Sequence, residues 1–198
     1  MSKRLSLTSR FQAIGIGGSL LVSGAALASA PVLMPEPYSW LSHTTSESAA
    51  QGLDGAWLAR FGFLTFGLAV LWLASRCHGR WGGWATLSHG SFGVLMLATA
   101  VFSHRPFLPG QPFDAFEDAL HSGAATAMGF AFAFGVLMVA LIRRRHVGGI
   151  RVLDAAALAA SVAIPLGMLV WTGVGGLLQR AMFLIAYVWY AIEALESE

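Results

Sequence analysis

The sequence AWLARFGFLTFGLAVLWLASR, residues 56–76, decides the fold class because it is long and apolar and its only charges are Arg60 and Arg76. A helix needs about 20 mainly apolar residues to cross roughly 30 Å of hydrocarbon, and this run has that length. Soluble domains carry roughly 25% charged residues. This chain of 198 residues carries 11% charged and 56% hydrophobic residues, so the sequence predicts an integral membrane protein.

Similar apolar runs lie on both sides of this one. Together they predict an all-α polytopic membrane helix bundle with six transmembrane helices, at residues 11–34, 56–76, 82–103, 118–142, 152–172 and 174–194. No segment outside the runs is long enough to form a second core. We therefore expect a single transmembrane domain over residues 1–198, with a polar outer loop or lid at residues 35–54.

Basic residues are distributed unequally between the two ends of this predicted bundle. Nine of the twelve lysines and arginines lie on the side of both termini: Lys3, Arg4, Arg10, Arg76, Arg80, Arg143, Arg144, Arg145 and Arg151. Cytoplasmic loops carry such an excess. We therefore expect both termini in the cytoplasm, a multi-pass protein of the cell inner membrane, and a cytoplasmic end that carries mostly unpaired positive charge.

The first apolar run has a second interpretation, as a signal peptide. The sequence ALASA at residues 26–30 resembles a cleavage site after a basic start and an apolar run, and cleavage would leave five spans. Against this interpretation, the run is rich in glycine and longer than a usual signal core.

Small residues mark two predicted contact surfaces, because helices in lipid associate through close approach at small side chains. In the first run they are Gly15, Gly17, Gly18, Ser19, Ser23 and Gly24, and in the fourth they are Ser122, Ala125, Thr126, Gly129 and Ala133. We expect both surfaces to lie against neighbouring helices.

The predicted outer side collects acids, arginines and histidines. Arg180 lies inside the last run, where a charge costs at least about 2.5–3.5 kcal/mol on insertion scales and normally has a partner. Glu47, Glu117 and Asp118 are the candidate partners. The sequence predicts a ligand-binding or ion-pair cluster formed by Glu47, Arg60, Asp118, His121 and Arg180.

The same side offers residues for acid–base chemistry. Ser46 is a candidate nucleophile, His104 and His121 are candidate general bases, and Asp118 is a fourth candidate catalytic residue. In this interpretation Arg60 and Arg180 bind a phosphate group of the substrate, since the guanidinium fork donates two parallel hydrogen bonds.

A metal site is a weaker possibility on the sequence. His43, His104 and His121 are residue types that bind zinc, but the chain contains no HxxxH or HExxH motif. Cys77 is the only cysteine, which excludes an internal disulfide and CxxC redox chemistry. We expect no cofactor, with zinc as the alternative.

His89, in the sequence TLSHGS, lies deeper in the third run. No other run offers a histidine at that depth, so a haem held by two histidines is not expected. Polar side chains commonly form hydrogen bonds between membrane helices, and we expect His89 to be such a packing residue.

The segment YSWLSHTTSESAAQG, residues 38–52, is the densest polar stretch between apolar runs. Thr44 and Glu47 have the spacing of a capping box, which predicts a short helix on the outer surface over residues 45–52. Tyr38 and Trp40 would anchor its start at the headgroup level. We expect a lid over the polar end of the bundle, with Glu47 near the arginines.

Two of these elements match a known family pattern. Ser46-Glu47 matches the start of a Ser-(Asp/Glu)-Leu-Gly-like motif that follows the first span, and His121 in EDALHSGAA matches a histidine that opens the fourth. Ser48 and Ala49 depart from the Leu-Gly of that motif. On these residues the chain resembles the bacterial and archaeal membrane family called domain of unknown function 998, which implies its topology and a shared outer polar cluster.

A looser likeness is to membrane hydrolases that use Ser, Asp and three His at a metal, although the chain lacks their HxxxH. The absence of a complete catalytic motif favours a binding or accessory membrane protein. The alternative is an intramembrane hydrolase or lipid-headgroup-processing enzyme at the outer leaflet, and the third interpretation is a transporter or channel subunit. The expected partners are membrane lipids and either another membrane protein or a second copy of the chain, without nucleic acid.

Overall fold

Helices account for most of the chain in the computed structural model, which describes residues 7–196. They are α1 (Leu7–Ser29), α2 (Ala56–Val101), α3 (Ala115–Val147), α4 (Val152–Val170) and α5 (Gly175–Glu196). Short 3₁₀ segments cover Ala30–Leu33, Glu47–Ala49 and Thr172–Val174, and no strand occurs between residues 7 and 196. Lys3, Arg4 and the side chain of Arg10, which the orientation argument uses, lie outside the described part.

All five helices are long and apolar enough to cross a membrane. The apolar runs of the sequence become helices because a backbone in lipid must satisfy its own N–H and C=O groups. The predicted all-α architecture with membrane-like helices is therefore confirmed.

α2 folds back on itself at Gly82, where φ is 70° and ψ is 173°. Glycine tolerates this conformation because it has no Cβ. The Phe66 and Phe92 rings lie 5.5 Å apart, and a Cβ added to Gly67 would lie 2.8 Å from the Gly93 carbonyl oxygen. The arms before and after Gly82 thus pack against each other in opposite directions, where the sequence predicted separate helices at 56–76 and 82–103.

Aromatic side chains of α2 and α5 form the centre of the bundle. Phe66 stacks on Tyr187 with ring centroids 4.2 Å apart. α1 joins this core through the Ser23 hydroxyl, which donates to the Gly62 carbonyl at 2.6 Å and accepts from the Tyr187 hydroxyl at 2.6 Å. The first apolar run is therefore an integral part of the bundle.

His89 lies in the same core and is fully buried. Its Nδ1 is 2.9 Å from the Tyr190 hydroxyl, and its ring stacks on Trp189 with centroids 4.8 Å apart. The prediction of a hydrogen-bonded packing histidine is confirmed.

The two predicted small-residue surfaces behave differently. On α1, a Cβ at Gly15 would lie 2.5 Å from the Trp72 ring, so α2 approaches closely there, whereas Gly17 and Gly18 have nothing within 4 Å. On α3 the prediction was wrong, since Ser122, Thr126 and Gly129 are exposed. The buried face of α3 has helical spacing and carries mostly larger side chains, which bury more apolar area: His121, Ala124, Met128, Phe132 and Val136.

The helices alternate in direction, so the connections gather at two ends. The capped end contains residues 30–55, 102–114 and 171–174, and the Thr45 amide donates there to the Gln179 side chain at 2.7 Å. The termini end contains Gly82, residues 148–151 and the end of α5. We call residues 34–55 the cap.

Candidate functional site

Arg60 of α2 holds the C-terminal part of the cap. Its Nε donates to the Ala49 carbonyl and its Nη2 to the Ala50 carbonyl, each at 3.1 Å. Arg60 lies in the first turns of α2, next to the cap, so its guanidinium reaches the capped end without crossing apolar space. Its partners are neutral carbonyls rather than carboxylates.

Arg180 of α5 holds the N-terminal part of the cap. Its Nη1 donates to the Trp40 carbonyl at 2.8 Å and the His43 carbonyl at 2.9 Å, and its Nη2 donates to the Tyr38 hydroxyl at 2.7 Å. The guanidinium carbon also lies 4.9 Å from the centroid of the Trp40 ring. The oxygens that accept from Arg180 are therefore uncharged, whereas the sequence predicted a carboxylate partner.

Tyr38 is therefore a positioning partner of Arg180 at the rim of the cap. Burial raises the pKa of the Tyr38 phenol, and the nearby positive charge of Arg180 opposes that rise. The hydroxyl donates onward to the Thr44 carbonyl at 3.1 Å. The phenol thus stays protonated while it links α5 to the cap.

The start of α5 also binds the cap directly. The Gly176 amide donates to the Ser42 carbonyl at 3.1 Å, and the Leu177 amide donates to the Leu41 carbonyl at 3.0 Å. The first N–H groups of a helix have no partner within the helix, and cap carbonyls supply them here. A Cβ on Gly176 would collide with the His43 carbonyl oxygen, so glycine is required for this contact.

Inside the cap, Thr44 and Glu47 form the predicted capping box. The Glu47 carboxylate accepts from the Thr44 amide at 2.6 Å and from its hydroxyl at 2.9 Å, and the Glu47 amide donates back to Thr44 Oγ1 at 3.2 Å. The helical segment that follows is only Glu47–Ala49. Glu47 is thus engaged with Thr44 and makes no ion pair with a described arginine.

Three of the predicted catalytic residues lie together where α2 leads into α3. Nδ1 of His121 contacts the Phe102 carbonyl at 2.8 Å, and the His104 and His121 ring centroids are 5.4 Å apart. His104 Nε2 lies 3.9 Å from Asp118 Oδ1. Because a carbonyl only accepts, His121 carries its hydrogen on Nδ1, and its buried Nε2 has no partner in the described structure.

The other predicted site residues lie apart from this group. The Ser46 hydroxyl has no hydrogen bond to any residue in the described range, and Ser46 precedes the 3₁₀ segment of the cap. His43 Nδ1 accepts from the Ser39 amide at 2.8 Å while its ring stacks on Tyr38. Within residues 7–196, no three metal-binding side chains are placed to hold an ion.

Gln51 is a residue that the sequence reasoning missed. Its Nε2 donates to the Ser103 and Asp114 carbonyls at 3.0 Å each, and its Oε1 accepts from the Asp114 amide at 2.7 Å. The Glu117 carboxylate accepts from the Ser103 amide at 2.7 Å. Gln51 thus ties the cap to the connection between α2 and α3, and Glu117 ties α3 to the same connection. A lone glutamine in a loop gives no sequence signal for that role.

A groove of about 720 Å³ runs between α1 and α5. Small residues on α1 keep it open: a Cβ added to Gly17 would have nothing within 4 Å, and one added to Gly24 would lie 3.9 Å from the edge of the Tyr187 ring. The walls are apolar, while Thr45 and Arg180 lie at the capped end of the groove. The lining of α5 extends from Arg180 to Ala191, which is about 16 Å at 1.5 Å per residue.

The termini end contains a second polar cluster, built around two fully buried carboxylates, Asp154 and Glu193. Glu193 accepts from Arg80 at 2.8 Å, Trp81 Nε1 at 2.8 Å, Arg143 at 2.8 Å and Arg151 at 2.6 Å. Asp154 accepts from Arg143, from Arg151 at 2.9 Å and from Trp189 Nε1 at 2.9 Å. Glu196 adds a more exposed carboxylate, 3.0 Å from Arg151.

This cluster corrects the expectation of mostly unpaired positive charge at the termini end. Arg80, Arg143 and Arg151 are all paired with acids. Burial lowers the pKa of the Arg151 guanidinium, but the Glu193 and Asp154 carboxylates raise it by more, so the net shift is upward. The expectation rested on the basic residues of this end alone, whereas the acids of α4 and α5 neutralise three of them.

One comparison places this geometry within a family. The family model described as "Protein of unknown function (DUF998)" matches residues 16–196, which include the cap, the groove and both arginine clusters. No curated protein and no solved structure matches the chain.

Proposed function

Because the chain belongs to the DUF998 family, whose function is unknown, we propose a function from its own geometry: it is a membrane protein that binds an amphiphilic molecule in the groove between α1 and α5. The observation that carries this proposal is the groove itself, which is apolar along its length and polar at one end. Ligand sites are typically clefts of about 300–1,000 Å³ with apolar walls and a few polar groups, and this groove has that character.

The proposed topology is six membrane crossings with the capped end at the outer leaflet of the inner membrane. The break at Gly82 supports six crossings, because each arm of α2 has about the length of a transmembrane helix. The basic residues at the termini end support a cytoplasmic position for that end. On this topology the polar end of the groove faces the outer headgroup layer.

A lipid-headgroup-processing enzyme is the second candidate. The grouping of His121 with His104 and Asp118 supports it, since a general base needs a lone pair that no other group occupies and His121 Nε2 has no partner in the described structure. Binding is preferred because Ser46, the candidate nucleophile, has no hydrogen bond to either histidine in the described structure.

The test compares two tryptophan substitutions on adjacent residues of α1. Gly17 lines the groove and Gly18 does not, and neither has an atom within 4 Å of its Cβ position. We expect native mass spectrometry to detect a bound lipid on the wild type and on Gly18→Trp, and to find it lost from Gly17→Trp. Equal occupancy of the two variants, or no bound lipid on the wild type, would contradict the proposal.

A further inference from the structure

The polar end of the groove contains two hydrogen-bond donors that have no acceptor. Thr45 Oγ1 and Arg180 Nε are both buried and lack a partner in the described structure. Thr45 is only 1% exposed, and both residues line the groove. Buried polar groups in native structures are nearly always hydrogen-bonded, so two orphaned donors on residues that line one groove indicate an acceptor that the protein does not itself provide.

Arg180 also forms no ion pair with an acid in the described structure, and the nearby Glu47 carboxylate is engaged by Thr44. The described partners of Arg180 are two carbonyls and a phenol hydroxyl, all neutral. Arg143, by contrast, contacts both Asp154 and Glu193. An oxygen of a phosphate or carboxylate group would accept from both orphaned donors and would also oppose the charge of Arg180.

The length of the groove matches one leaflet. From Arg180 to Ala191 the α5 wall covers about 16 Å, and half of a hydrocarbon core of roughly 30 Å is about 15 Å. An acyl chain whose headgroup is at the membrane surface extends over this depth, whereas a transmembrane helix of a partner would need the full thickness.

We propose that the occupant of the groove is an anionic lipid. Its acid oxygen accepts from Thr45 Oγ1 and Arg180 Nε, and its acyl chain lies along α5 toward Ala191. This inference rests on the proposed function and adds the chemical class of the ligand.

Thr45→Val is the most direct variant for a test. The substitution keeps the side-chain shape and removes a hydroxyl that has no partner in the described structure, while the backbone contacts of Thr45 to Gln179 and Ser48 remain. Arg180→Lys keeps the charge and removes Nε. Arg144→Gln is the control, because Arg144 is exposed at the termini end and makes no ion pair with a described residue.

The experiment is a titration of delipidated protein with phosphatidylglycerol and phosphatidylcholine of identical acyl chains, followed by native mass spectrometry. We expect wild type and Arg144→Gln to prefer phosphatidylglycerol. A hydrogen bond to a charged group is worth about a factor of ten in affinity, so Thr45→Val should lower the preference by about tenfold. Arg180→Lys should also lower the preference for phosphatidylglycerol, but the lysine ammonium retains part of the attraction to the acid group of the lipid.

Three results would overturn the inference. If the wild type binds both lipids equally at the groove, the acid-group assignment fails and the proposed amphiphile binding stands. If neither lipid binds, both fail. If inorganic phosphate displaces phosphatidylglycerol and Gly17→Trp has no effect on lipid binding, the site holds a free anion rather than a lipid, and both proposals fail.

Discussion

The two ends of this bundle use arginine in opposite ways. At the termini end, Arg80, Arg143 and Arg151 meet three carboxylates, so the cluster is electrically balanced. At the capped end, Arg60 and Arg180 bind backbone carbonyls and a phenol, and neither forms an ion pair with a described acid. The difference lies in the counter-charges: the termini cluster pairs its arginines with acids, although Arg80 Nε and Arg151 Nε have no partner in the described structure, whereas the capped-end arginines form no ion pair with a described acid. On the proposed function, the termini cluster fixes helices and the capped end binds an external anion.

The termini cluster also connects more of the bundle. Glu193 of α5 contacts arginines from α2 and α3, and Arg151 at the start of α4. The capped-end arginines instead connect single helices to the cap. Removing one charged residue should therefore lower the free energy of unfolding by different amounts at the two ends.

The largest effect is expected for Glu193→Ala. This substitution leaves the surrounding arginines without their main buried counter-charge, and breaking a buried ion pair costs about 3–5 kcal/mol. The measurement is the free energy of unfolding in detergent. Glu196→Gln is the control, since its side chain is 44% exposed and exposed pairs contribute about 0–1 kcal/mol. Similar losses for both variants would show that the cluster does not act as a buried unit.

The next largest effect is expected for Arg180→Ala. It removes the three hydrogen bonds that hold the cap and should cost about 2–3 kcal/mol. Arg144→Ala should change the unfolding free energy by less than about 0.5 kcal/mol, as is usual at exposed positions. Thermal unfolding of both variants checks this pair. A negligible effect of Arg180→Ala would mean that the cap is held without it.

Gly176→Ala should have an intermediate effect, confined to the capped end. The added Cβ collides with the His43 carbonyl oxygen, and overpacking of this kind costs about 1–3 kcal/mol. We expect faster proteolytic cleavage within the cap while the transmembrane helices stay folded. Gly173→Ala is the matched control, because nothing lies within 4 Å of its Cβ position. Equal cleavage rates would place the contact between cap and α5 in doubt.

The smallest effect is expected for Tyr38→Phe, which removes one hydroxyl and should cost about 1 kcal/mol at neutral pH. Burial raises the pKa of folded Tyr38 above the ordinary value of 10.0. The unfolded phenol therefore ionises first, and the contribution of Tyr38 to stability is complete below pH 10 and declines as the pH rises toward the folded pKa. The stability gap between wild type and Tyr38→Phe should narrow above that pH. A constant gap would show that Tyr38 is not buried as described.

The sequence predicted what depends on local pattern. The length of the apolar runs predicts the helices, and the spacing of Thr44 and Glu47 predicts the capping box. The depth of His89 in its run predicts its role as a packing residue. Each of these depends on neighbours in the chain or on membrane depth alone.

What the sequence missed depends on which distant residues meet. Arg80 and Glu193 are 113 residues apart, and nothing in either local sequence indicates the other. The partners of Arg180 are backbone carbonyls, which every residue carries. The groove arises because α2 packs closely against Gly15 of α1, whereas Gly17 faces open space. The number of small residues in α1 does not predict which of them faces a neighbouring helix.

The position of Glu193 near the end of the chain has a consequence for how the protein is made. Chains are synthesised from the N-terminus, so Arg80 emerges long before the carboxylate that neutralises it. Until α5 is complete, Arg80 is a free positive charge beside a nascent span, and such charges bias the orientation of insertion. Afterwards the same guanidinium belongs to a neutral cluster. On the proposed topology, Arg80 serves first as an orientation signal for the ribosome-bound chain and later connects the helices of the finished bundle.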